Sequence, residues 1–203
     1  MSVLAQVRTA TGSIHKSLDE HPLLVRFMRY NEADAYRGFL ESFRAFIALQ
    51  LHHDQEYIHD DDRAILDYSD WRKALEDDLL AMNALHHQAR IPNVSPLIPA
   101  IHNRSEFWGF LYVIEGSVLG GREVAKSLPE QWPKDFLLRG SQNRLRWPYF
   151  MRRFNELESA REILPDAVQK GAVRSFESMI AMFDTFEFGS RESIAHDYSS
   201  SPQ

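Results

Sequence analysis

The chain has no cysteine, and that absence removes several chemistries at once. No disulfide scaffold, thiolate zinc site or cysteine nucleophile can be built, and a reducing compartment is the expected setting. Long hydrophobic runs are missing too. No stretch approaches the ~18 apolar residues of a membrane-spanning helix, and the opening MSVLAQVRTATGSIHK lacks the apolar core of a signal peptide. The expectation is a cytoplasmic protein that does not enter a membrane. Basic charge is also short: 23 Lys and Arg stand against 29 Asp and Glu, a formal net charge of -6. Nucleic-acid binding, which depends on cations that displace phosphate counterions, is therefore not expected.

What is present is enough for one well-buried domain. In 203 residues, 44% are hydrophobic and 12% aromatic, which suits a single domain spanning 1–203, with a short flexible tail from about residue 197. The apolar residues recur at helical spacing. Val3, Leu4, Val7, Ile14 and Leu18 predict a first helix that stops before His21-Pro22, and Pro22 to Met28 a short second one. Asn31 or Asp34 is expected to cap a long third helix carrying Tyr36, Phe39, Leu40, Phe43, Phe46, Ile47 and Leu51. A fourth starts at Ser69 or Asp70 and ends near His86-His87. Ser105 is expected to cap a helix from about Glu106 to Ser127, followed from Pro129 to Asn143 by irregular chain with at most a short helix. Arg144 to Ala160 and Pro165 to Phe188 supply two more helices. Nothing reads as a strand with its turns, so the predicted class is all-α, a single bundle-like domain of seven to nine helices.

One predicted helix is costly. Leu111 to Gly121, LYVIEGSVLGG, holds Gly116, Gly120 and Gly121, and each glycine inside a helix costs about 1 kcal/mol relative to alanine. Gly116 and Gly120 are four apart and share a face, with Gly121 beside them. Bare backbone along one side of a helix admits either a flat ligand or a second helix at close range. A second feature lies about 100 residues earlier. His15 has Asp19 one turn after it, able to accept the proton on one ring nitrogen and leave the other as a neutral metal ligand. Arg8, nearly two turns before His15, points the same way about 10 Å along the axis. The pattern also fits a surface histidine with a local ion pair.

The segments that carry these features resemble bacterial haem oxygenases. Ile14 to Leu24, IHKSLDEHPLL, is similar to the stretch around that family's iron-ligating histidine, and Leu111 to Arg122, LYVIEGSVLGGR, to its distal-helix motif. Trp147 to Glu158, WPYFMRRFNELE, resembles a later family helix that begins with tryptophan, so the similarity spans most of the chain in order. The resemblance implies a haem-oxygenase-like bundle in which haem, both substrate and cofactor, lies between a proximal and a distal helix. It implies His15 as the iron ligand and Asp19 as its neighbour, with Gly116, Gly120 and Gly121 as the distal glycines. Arg8, Tyr112 and either Arg152 or Arg153 fall where propionates would be met. The implied reaction opens haem to biliverdin, carbon monoxide and ferrous iron, using O2 and external electrons from a ferredoxin, flavodoxin or reductase. A bacteriophytochrome is one implied acceptor of the bilin. Two departures stand out. Ser117 occupies the position where many members have an aspartate that orders water, and Phe43, Phe46 and Ile47 crowd a region that is more polar in bacterial members.

Other readings compete. A carrier or haem sensor of the same fold would keep His15, Arg8 and Tyr112 without turnover. A helical di-iron oxidase is represented by Glu56-Tyr-Ile-His59, an E-x-x-H with no second copy, at a stretch whose charge marks an exposed helix end. The pairs His52-His53 and His86-His87 put adjacent rings about 100° apart and read as surface residues. Trp71, Trp108, Trp132 and Trp147 read as packing anchors. Finally, Arg122, Lys126, Lys134, Arg139, Arg144, Arg146, Arg152 and Arg153 face few acids, and an acidic partner or ligand is expected to meet this basic stretch.

Overall fold

The structure is a computed structural model that describes residues 2–63, 67–85, 97, 99–142 and 144–199. Among them there is no strand. Eight helices of two turns or more and one single turn make up the described fold: α1 (Val3–Asp19), α2 (Pro22–Tyr30), α3 (Ala33–Tyr57), α4 (Asp60–Arg63), α5 (Ser69–Leu85), α6 (Arg104–Ser127), α7 (Asp135–Gln142), α8 (Arg146–Ser159) and α9 (Pro165–Ser199). None is long and apolar enough to cross a membrane.

The helix boundaries follow from local chemistry. Ser2 caps α1, accepting the Ala5 N–H at 3.3 Å. His21 caps α2, its Nδ1 accepting the Leu23 N–H at 3.1 Å, and Pro22 supplies a preset first helical residue. Three expected boundaries differ. Asn31 does not cap α3; it closes α2 in the left-handed conformation (φ 54°, ψ 37°), which asparagine adopts more readily than most residues. Ser105 does not cap α6. Asn103 does, accepting the Glu106 N–H at 3.0 Å, while the Ser105 hydroxyl accepts the Leu164 N–H at 3.0 Å and so joins α6 to the start of α9. After Pro129 the short helix that the sequence allowed is α7, which Asp78 of α5 caps from outside by accepting the N–H groups of Asp135 (3.2 Å) and Phe136 (2.9 Å). Helix α9 also continues past Phe188 to Ser199.

Packing centres on α9, against which α1, α2, α3 and α6 all lie. The α6–α9 crossing is the closest. A Cβ on Gly109 would overlap the Val168 carbonyl oxygen, and one on Gly171 the Glu106 carbonyl oxygen, so each backbone occupies the space the other's side chain would need. Gly121 repeats the device against α7, where a Cβ would overlap the Leu137 carbonyl oxygen. Around these crossings the aromatic core is dense: Phe27, Tyr36, Phe46, Trp108, Phe150 and Phe154 are all fully buried.

Buried charges are placed at helix joints. Glu115 of α6 accepts from the Tyr68 hydroxyl (2.6 Å) and from Arg146 Nη2 of α8 (2.8 Å). Asp62 of α4, completely buried, takes Arg153 Nε at 2.6 Å and Arg104 Nη2 at 3.1 Å.

Candidate functional site

Helices α1 and α6 each rest on α9 and together with α3 enclose a cavity of about 410 Å³. Phe176, Met179 and Phe183 of α9 form its floor, and Phe39, Phe43 and Phe46 of α3 close it from another side. The lining is largely apolar, as ligand cavities generally are, so its few polar groups define its chemistry.

From α1 come Arg8, His15 and Asp19. His15 Nδ1 lies 2.9 Å from Asp19 Oδ2. A carboxylate only accepts, so Nδ1 carries a proton, and in the neutral ring Nε2 is then the nitrogen with the lone pair. His15 is 57% exposed on its side chain and packs at 5.3 Å from the Phe176 ring. His21 is the opposite case: it is buried, Nδ1 accepts the Leu23 N–H, and Nε2 faces Asp184 at 3.2 Å. Both His21 nitrogens are occupied, whereas His15 has one to offer.

From α6 come Tyr112, Gly116, Ser117, Gly120 and Gly121. The helix is unbroken through its glycines. A Cβ at Gly116 would stand 4.0 Å from the Trp147 ring, an ordinary contact, and one at Gly120 would meet nothing within 4 Å. These two positions leave backbone open to the cavity. Gly121 lines the cavity as well, but its missing side chain makes room for α7. The close-crossing reading therefore holds for Gly121, and open backbone for Gly116 and Gly120.

Ser117 is more constrained than its sequence position reveals. Its hydroxyl donates to the Ile114 carbonyl at 2.6 Å and accepts from Arg139 Nη2 at 2.7 Å, so one lone pair is left for the cavity. Arg139 of α7 is only 3% exposed. Burial pulls its guanidinium down to about 9, against the opposing influence of Glu115. It remains a cation at neutral pH. The residue was visible only as one member of a basic stretch, since its burial depends on Phe136 and, from α5, Trp71.

Of the expected site residues, Arg8, His15, Asp19, Tyr112, Gly116, Ser117, Gly120 and Gly121 line one cavity. Arg153 does not. It is drawn to buried Asp62, with Glu156 also at 3.6 Å, and so serves the joint between α4 and α8. Arg152 lies outside the lining too, its guanidinium 4.6 Å from the Tyr149 ring. Of the crowding expected from α3, Phe43 and Phe46 line the cavity, while Ile47 is buried elsewhere in the core.

The basic stretch does not form one surface. Arg139 and Arg146 are internal, Arg153 is tied to Asp62, Lys126 pairs with Glu123 at 2.7 Å, and Lys134 donates to the Leu128 carbonyl at 3.1 Å. Glu56 lies in the last turn of α3, which ends at Tyr57, and His59 lies beyond it, so the E-x-x-H does not continue along a helix. Among the described residues no three His, Asp or Glu side chains come together as a metal cage. His86 and His87 lie outside the described residues, as do the side chains of His52 and His53.

The residues present suit a flat group held by one axial ligand. An imidazole nitrogen without a partner among the described residues and open glycine backbone share one apolar chamber, with Arg8 able to meet an anionic edge. No protein-family model matches the chain, nor does any curated protein or solved structure with which it was compared.

Proposed function

We propose that the protein is a haem oxygenase of the bacterial type, acting on haem in the cytoplasm and yielding biliverdin, carbon monoxide and ferrous iron. The observation that carries this reading is that His15, with Nδ1 on Asp19 and Nε2 free, lines the same cavity as the open backbone of Gly116 and Gly120. His15 would hold the iron through Nε2, and Asp19 would keep the ring in the tautomer that allows it. Arg8 and Tyr112 would meet the propionates, and Gly116 and Gly120 would let the ring lie close to α6. Bound haem would supply both the iron at which O2 is reduced with external electrons and the ring that is opened.

The chain's own part is to exclude bulk water and orient what is admitted. Phe39, Phe43 and Phe46 wall off one side. The free lone pair on Ser117 accepts a hydrogen bond from a water, and Arg139 prevents the hydroxyl from turning away. A ferredoxin, flavodoxin or reductase would deliver electrons, and a bacteriophytochrome would be a suitable recipient of the bilin. Exposed Arg122 and Arg144, with Arg152 beside Glu156 at 3.8 Å, are the cations that would meet an acidic donor protein.

A non-catalytic haem-binding or haem-sensing protein is the second reading, and one observation favours it: the Ser117 proton is already given to the Ile114 carbonyl, so the hydroxyl cannot also donate into the cavity. One experiment separates the two. Haem is added at one equivalent, a reductase with ferredoxin is supplied in air, and the Soret band and chromatographed product are followed. A band that forms and then bleaches, releasing one biliverdin isomer, is the expected result. A band that persists selects the carrier, and no band in the wild-type protein overturns both readings. In His15→Ala, an unchanged Soret band and spin state would refute the ligand assignment.

A further inference from the structure

A second cavity, of about 270 Å³, adjoins the first, and Leu119, Arg139 and Trp147 line both. Its charge is one-sided: Arg139, Arg144 and Arg146 face it against Glu115 alone. That carboxylate is already committed to the Tyr68 hydroxyl and Arg146. Among the described residues no carboxylate is hydrogen-bonded to Arg139, a buried cation. Its Nη1 donates to the Phe136 carbonyl at 2.6 Å and its Nη2 to Ser117, while its buried Nε has no acceptor among the described residues. The guanidinium carbon lies 3.8 Å from the Phe136 ring centre and 4.6 Å from that of Trp71. Ring faces attract a cation but replace no counter-ion. A charge removed from water without a partner is costly, so what this site lacks is an anion. Arg144, exposed on the same cavity, makes no ion pair among the described residues.

We propose that the smaller cavity binds a small organic carboxylate, held by Arg139, whose Nε–H has no acceptor among the described residues, and by Arg144. The planar fork of donors on arginine matches the two oxygens of a carboxylate. Val118, Trp147 and Pro148 offer the rest of the ligand an apolar wall, which favours a carbon body over an inorganic anion. This inference needs no bound haem, since it uses neither His15 nor the open glycines, although Arg139 and Arg144 also serve the haem reading, one through Ser117 and the other as a contact for the donor protein.

The test is thermal unfolding and tryptophan fluorescence of the whole chain with sodium butyrate, at ionic strength matched with sodium chloride. Butyramide serves as the uncharged isostere and inorganic phosphate as the anion without a carbon body. Butyrate is expected to raise Tm saturably and to change the emission of Trp71 and Trp147, with phosphate weaker and butyramide inert. Arg139→Met should abolish the effect, and Arg144→Gln should weaken it about threefold or more. Arg144 is exposed, so that variant carries the test alone if Arg139→Met does not fold. An equal response to butyramide, phosphate binding as tight as butyrate, no response beyond that to chloride, or unchanged affinity in Arg144→Gln would each overturn the proposal.

Discussion

Along α6, Gly109 and Gly121 press their backbone onto another helix, while Gly116 and Gly120, between them in sequence, leave theirs uncovered. All four lie inside one continuous helix and carry the same intrinsic helical penalty. The difference lies wholly in the neighbour. At Gly109 and Gly121 the penalty is offset by close backbone packing. At Gly116 and Gly120 no such packing offsets it among the described residues, which is what the proposed ligand site would require and a packing site would not.

The largest effect should come from filling the closed crossings. Gly109→Ala or Gly171→Ala forces α6 and α9 apart and should lower the unfolding free energy by about 3 kcal/mol in urea titration; a loss under about 0.5 kcal/mol would mean that the helices part freely. Next is Arg153→Met, expected to cost about 2 kcal/mol by stripping one partner from buried Asp62, while haem affinity stays unchanged. A loss of haem binding with stability intact would return Arg153 to the site. The sign should then reverse: Gly120→Ala is expected to raise stability by up to about 1 kcal/mol, yet narrow the cavity and weaken haem, read by Soret titration. A destabilised Gly120→Ala would erase the contrast with Gly109.

The smallest effect is a pH slope. Burial raises the Asp78 carboxyl to about 6, above its usual value, despite the two α7 N–H groups it accepts. A group protonated more readily when folded contributes stability that is complete below the usual aspartate range and is lost as pH rises through about 6. Comparing denaturant midpoints of wild type and Asp78→Asn from pH 4 to pH 7 should show that the variant lacks this downward component. Parallel curves would refute the assignment.

Much of this architecture was readable from apolar spacing, because a buried helix must repeat its apolar residues at about 3.6. Val3, Val7 and Phe39, Phe43, Phe46 are buried as that rule requires. The caps were less legible. Asn31, Asn103 and Ser105 are all capable of capping, and only the path of the chain decides which accepts a helical N–H. The start of the short helix α7 was not legible because its cap, Asp78, comes from 57 residues earlier in the chain. The candidate site divides in the same way. His15 with Asp19 is a local relation and was visible; Arg139 with Ser117 joins two helices and was not. Arg153 illustrates the reverse hazard, a surface-like arginine whose destination, Asp62, lies in a turn that the charge of its segment made look fully exposed.

Because α1 and α6 both lie on α9, the width of the main cavity is a spacing set by a third body. Changing side-chain bulk along the α1–α9 seam would move His15 nearer to or farther from the open glycines, while the backbone-tight α6–α9 seam stayed closed. The gap between the His15-bearing and glycine-bearing walls is thus a dimension set by the α1–α9 seam rather than by the α6–α9 crossing.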